Sequence, residues 1–130
     1  MSNLVRHWST LLVVVVLVGS YMAFCFYERN RVTPPDEACS WETFLASMPP
    51  PREAWVFHVG GRQYVEVRGP MPSQWTFPSG PPSYVFNQDG ILVDWAYDRG
   101  EMSSGYVGFH ASSGRRLAVD EVPLWFSRGG

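Results

Sequence analysis

Apolar positions follow three different patterns along the 130-residue chain. From Trp8 to Tyr27 no residue carries a formal charge, and twenty residues at 1.5 Å rise make a helix of about 30 Å, the depth of a bilayer's hydrocarbon. Trp8 at one end and Tyr21, Phe26 and Tyr27 at the other have the character of interfacial anchors, with Arg6 before them and Glu28, Arg29 and Arg31 beyond. Pro34 and Pro35 end any continuation of that helix. The second pattern is helical: Ala38, Trp41, Leu45 and Met48 form one stripe, Asp36 is a candidate cap, and Pro49 to Pro51 stop the helix. From Ala54 the period becomes two. Gly60-Gly61 divides a β-rich run into a tight hairpin, with Val56 expected opposite Val65 and Ala54 opposite Val67 on one face. Trp55, Phe57 and Tyr64 share the other face.

A second hairpin is expected over Tyr84 to Tyr97, turning at Asn87-Gln88-Asp89-Gly90. Alternation places Ile91, Val93, Trp95 and Tyr97 on one side, with Leu92, Asp94 and Ala96 on the other and Asp94 at a sheet edge or exposed. The Pro-rich stretch between the hairpins has room for a short strand at Gln74 to Phe77. The runs "RRLAV" and "VPLWF" supply a closing pair of strands. The resulting fold class is α+β: a transmembrane helix, then a short helix packed on an antiparallel sheet of about five strands built from hairpins. The corresponding divisions are a short N-terminal tail (1–7), a transmembrane helix (8–27), a juxtamembrane linker (28–35) and one small α+β domain (36–130).

Composition narrows the class of partner. From Val32 onward seven Arg stand against eleven carboxylates, a net charge of −4, which opposes a phosphate-tracking surface and so opposes nucleic acid. The aromatic side chains from Trp41 to Phe126, fifteen in all, are enough to build a core at this size. Two cysteines give no disulfide framework, and Cys39 reads as a small buried apolar residue. An export signal would need small residues before its cleavage point, and Tyr21 or Phe24 intrudes at each candidate cut. Phe24 also spoils the context that a lipid-accepting Cys25 would need. An uncleaved single-pass signal anchor is therefore expected, with its amino terminus cytoplasmic and the domain on the exported side.

Ser79-Gly80-Pro81-Pro82, Tyr84-Val85-Phe86, Asp89-Gly90, Leu92-Val93-Asp94-Trp95, Asp98 and Gly100 together resemble a segment of uncharacterised small membrane-anchored proteins of bacteria such as planctomycetes. The resemblance covers about twenty residues, and implies a bacterial membrane protein without implying a reaction.

The candidate chemistry is sparse. Placing Asn87, Asp89 and Gly90 in a calcium loop would put Val85 and Ala96 at ligand positions, so a hairpin turn accounts for them better. His58 and His110 lie in no zinc spacing, and Ser103-Ser104-Gly105 lacks the nucleophile-elbow pattern. No catalytic residue, metal ligand or cofactor is assigned. The candidate interaction surface is Asp94, Trp95, Asp98, Arg99 and Glu101, for a protein partner in the envelope. The competing reading is a membrane-attached enzyme or cation-binding domain using Asp94, Asp98 and Glu101.

Overall fold

The computed structural model describes residues 2–70, 81–97, 106 and 114–128. Helix α1 (Ser2–Val32) is followed by α2 (Trp41–Ser47), then strands β1 (Glu53–Val59), β2 (Arg62–Arg68), β3 (Ser83–Asn87), β4 (Leu92–Ala96) and β5 (Arg115–Leu117). A 3-10 turn (Val119–Glu121) leads into α3 (Val122–Arg128). The strands form one open antiparallel sheet in the order β4-β3-β2-β1-β5. The α+β class and the strand number stand as expected from the sequence.

Helix α1 is long and apolar enough to cross a membrane, with a mean hydropathy of 2.2 in its best window and none of that window buried against the rest of the chain. It ends at Val32, just ahead of the proline pair. The residue before a proline is pushed out of the helical region, so Thr33 cannot extend it.

The first hairpin has the expected register. Gly60 and Gly61 take φ of 59° and 78°, the mirror-image turn that matches the twist of the strands. Val59 pairs with Arg62, Val56 with Val65 and Ala54 with Val67. Side-chain alternation then divides the sheet. One face carries Ala54, Val56, Val65, Val67, Tyr84, Phe86 and Leu117 into the main core under Trp41, Phe44 and Met48 of the α2 region and Val122 and Trp125 of α3. The other carries Phe57, Tyr64 and Val85, with Tyr106 stacked on Tyr64 at a centroid distance of 4.5 Å.

Four local expectations are corrected. Ser40, not Asp36, caps α2: its Oγ accepts from the Thr43 N–H at 3.3 Å, as an extended N-cap residue does. The helix buries Trp41, Phe44 and Met48 at spacings of three and four, which leaves Leu45 45% exposed and Ala38 outside the helix. In the second hairpin the turn is as read, with Gly90 at φ 75° and the Asn87 side-chain oxygen accepting from the Asp89 and Ile91 amides at 3.0 Å. A bulge follows it. Val85 pairs with Asp94 but Phe86 pairs with Leu92, so Val93 is the extra residue, and Leu92 crosses to the core face with Trp95. "VPLWF" is helix rather than strand. Pro123 forfeits a ladder donor but suits a first helical turn, and Val122 and Trp125 bury at a spacing of three while Leu124 stays 54% exposed. Residues Gln74 to Phe77 lie outside the described residues.

Phe44 meets Tyr84 and Phe86 edge-on at 4.8 and 5.1 Å and has no exposed surface. Phe44→Ala should therefore cost about 3–5 kcal/mol of stability, read as a shift of the urea midpoint of the full chain. Leu124→Ala should cost less than about 0.5 kcal/mol.

Candidate functional site

Consecutive strand residues point to opposite faces, and this separates the two described members of the expected interaction surface. Asp94 lies beside Val85 on the Tyr64 side, where its Oδ2 accepts the Tyr106 N–H at 2.7 Å. Trp95 lies on the core side, its ring 6.5 Å from Tyr84 and edge-on to Tyr97 at 4.8 Å. Asp98, Arg99 and Glu101 are outside the described residues, as is His110. Asp94 thus anchors the backbone of Tyr106 from an edge strand, a positioning task that occupies one carboxylate oxygen. Among the described residues no three His, Cys, Asp or Glu side chains come together as a metal site. His58 is exposed on β1.

Cys39 is buried just ahead of α2, and burial pushes its thiol above the ordinary value, which disfavours the reactive thiolate. Its backbone does structural work. The Leu92 amide donates to the Cys39 carbonyl at 2.9 Å, and the Trp41 amide donates to the Gly90 carbonyl at 2.8 Å, so this segment covers part of the β4 edge.

The most developed polar arrangement is where α1 meets the sheet. Val32 and Glu28 are buried, and Arg31 holds Glu28 in an ion pair of 3.0 Å. The Tyr84 hydroxyl donates to the Val32 carbonyl, one of the acceptors that a helix end leaves open. One residue on, the Thr33 hydroxyl and the Tyr97 hydroxyl hydrogen-bond at 2.9 Å. The Arg29 guanidinium lies 4.1 Å from the centre of the Tyr97 ring, within cation–π range. Burial, and then the neighbouring Tyr97, push the Tyr84 phenol far above its usual value, so it remains a donor across the physiological range.

Beside this joint, the same end of the sheet carries a cavity of about 440 Å³ lined by Arg52, Glu53, Arg68, Gly69, Pro70 and Pro81. The Arg52 amide donates to the Arg68 carbonyl at 2.7 Å and the Gly69 amide to the Pro82 carbonyl at 2.9 Å, which fixes the cavity's rim. Gly69 is needed there: a Cβ would come within 2.9 Å of the Pro82 ring. The Arg68 guanidinium packs 4.8 Å from the Trp55 ring centre, and its Nη1 is 3.8 Å from Glu53 Oε2.

Sequence reasoning took residues 28–35 as a linker and so passed over the joint. The available signal was weak but real: Glu28 to Val32 contains no helix breaker, and a Glu–Arg pair three apart is a helical pairing. That Tyr84 and Tyr97 would meet this segment could not be read from spacing, because the contacts span more than sixty residues for Thr33 and Tyr97.

No protein-family model, curated protein or solved structure matches the chain.

Tyr84→Phe removes the hydroxyl that donates to the Val32 carbonyl while keeping the ring, and should destabilise the head by about 1–3 kcal/mol at neutral pH. Because the folded chain raises this phenol's pKa, its contribution is complete below the free-tyrosine value near 10 and declines as pH rises beyond it. The stability gap between the parent chain and the variant should accordingly narrow in denaturant titrations run above that pH.

Proposed function

We propose that the chain is a single-pass membrane protein whose head is a non-catalytic interaction or accessory module, displayed on the exported side of a bacterial envelope. The observation that carries this reading is the continuity of α1 with the head. An apolar helix with Val13 to Val18 and both faces around them exposed needs lipid around it, since an aqueous monomer does not sustain so large an apolar surface. The same helix runs past Tyr27 without a break and is fastened at Glu28, Arg29, Val32 and Thr33. A flexible linker would let the head wander. This joint holds it instead at a set height and orientation, which serves a module that must meet a partner close to the bilayer.

The reading also accords with the chemistry. Asp94, the described carboxylate of the acidic stretch, is engaged in holding Tyr106. In the sequence, Asp98, Arg99 and Glu101 lie between these two residues.

Two measurements test the proposal. The full-length chain should remain in the membrane pellet after alkaline carbonate washing, and an added protease should reach the head only from the exported side. Cross-linking in native membranes should capture a protein partner, and Asp94→Asn should reduce that capture several-fold without releasing the chain. Extraction by carbonate would defeat the anchor; a substrate turned over by the purified chain would defeat the non-catalytic assignment.

A further inference from the structure

We propose that the cavity bounded by Arg52, Arg68 and Gly69 binds the phosphodiester of an acidic phospholipid headgroup, from the leaflet in which α1 ends. The proposal rests on the anchor reading above and adds a ligand to it.

The argument begins with unmet hydrogen bonding. Nε and Nη2 of Arg68 are buried and have no hydrogen-bond partner among the described residues. The nearest carboxylate, Glu53, lies 3.8 Å from Nη1, beyond hydrogen-bond reach, and its other oxygen is 3.9 Å from Arg116. Opposite Arg68 in the strand register stands Ser83, whose Oγ is likewise buried and without a partner. Two adjacent side chains of one sheet face therefore offer donors that nothing in the described chain accepts. Buried polar groups left in this state are costly, and guanidinium donors more so than neutral ones.

Geometry identifies the acceptor. Trp55 covers one face of the Arg68 guanidinium, at 4.8 Å, which leaves the planar group's edge as its binding surface. Two parallel N–H donors on such an edge match two oxygens of one phosphate. The exposed Arg52 stands on the same cavity lining as Arg68. Arg52 and Arg68 supply positive charge at this lining, and Glu53 is the carboxylate on it.

Position identifies the source. Tyr84 Cε2 lies 3.7 Å from where a Cβ on Gly69 would be, and the same tyrosine's hydroxyl reaches Val32. One aromatic ring thus separates the cavity rim from the end of α1. Val32 is five residues beyond Tyr27, about 7.5 Å along the helix axis, comparable with the headgroup layer of about 5–8 Å on each side of a bilayer. Under the proposed anchoring, the cavity rim stands near the level of the lipid phosphates.

The test uses the full-length chain, purified from membranes that withstood carbonate washing and loaded from mixed phosphatidylcholine and phosphatidylglycerol bicelles. Native mass spectrometry then reads the lipid retained. The expected result is retention of phosphatidylglycerol about tenfold over phosphatidylcholine, falling to parity in Arg68→Gln, the loss of a charge-assisted pair. Arg52→Gln should lower retention several-fold, and because Arg52 is exposed this variant keeps the test decisive if Arg68→Gln fails to fold. Equal retention of the two lipids by the parent chain overturns the proposal, as does retention unchanged in both variants. Saturable binding of soluble glycerophosphoglycerol with no lipid preference assigns the anion to a soluble source and overturns the lipid assignment. Since every sample has already passed the carbonate wash, a negative result counts against the cavity and not against the anchor.

Discussion

The last turn of an α-helix leaves carbonyl groups that its own backbone cannot satisfy, and in most proteins water or a capping residue meets them. In α1 the Val32 carbonyl has been taken out of water and supplied with the hydroxyl of Tyr84, a ring that belongs to the core of the sheet domain. That one contact joins two structures with opposing solvent requirements: a helix whose flank is apolar all round and a head stabilised by burial away from water. Tyr84 can do this because its two ends differ. Its ring packs against Phe44 and stacks toward Trp95, and its hydroxyl emerges at the boundary of that packing to reach the helix end. The joint is reinforced within one turn by Arg29 over Tyr97 and by the Thr33–Tyr97 hydrogen bond, so the head cannot swivel without breaking several contacts together.

The sheet domain is built so that its alternation serves two different purposes. On the α2 side, alternate residues of β1, β2 and β3 are apolar and close a compact aromatic core. On the opposite side the same strands carry Phe57 and Tyr64 at the hairpin end but Glu53, Glu66, Arg68 and Ser83 toward the α1 end. The change from stacked rings to buried polar groups along one face is not required for stability. Ionic groups taken out of water gain little over apolar residues of similar volume unless their hydrogen bonds are complete. Their concentration at the end nearest α1 is the reason to look there for a ligand.

Short-range signals in the sequence were read correctly wherever one residue type forces one conformation. Gly60-Gly61 and Gly90 supplied the positive φ of both hairpin turns, and the uncharged run from Trp8 to Tyr27 lies within the long helix α1. Errors arose where two periods fitted the same letters. "VPLWF" alternates as well as it spirals, and the decision fell to Pro123 and to the core's ability to receive Val122 and Trp125 together. Leu45 matched a helical stripe, but Phe44 presents more area to bury and took the inward position. The bulge at Val93 was invisible because alternation carries no mark of an inserted residue; it changed the face of Leu92, while Asp94 and Trp95 stand on opposite sides as simple alternation of consecutive residues requires. The candidate surface was therefore legible as a cluster of residue types but not as a geometry. Of the joint only the helical continuation through Glu28 to Val32 left a trace in the sequence; its contacts with Tyr84 and Tyr97 are long-range and left none.

Rigid attachment gives the cavity its meaning. An arginine with unmet donors on a freely tumbling head would meet lipid phosphate only in passing, and the encounter would have to overcome the orientational freedom lost on binding. Here that freedom is already removed by the contacts of Val32, Thr33 and Arg29, so the cavity's position relative to the end of α1 is set before any lipid arrives. A headgroup contact would in turn fix the head's remaining rotation about the axis of α1, which a single helical stem leaves free to turn within the bilayer. Under the proposed anchoring, the apolar stem would set the height of the head and an anionic headgroup held by Arg68 would set which side of it faces along the membrane, two constraints that an interaction module with a partner in the same membrane would use.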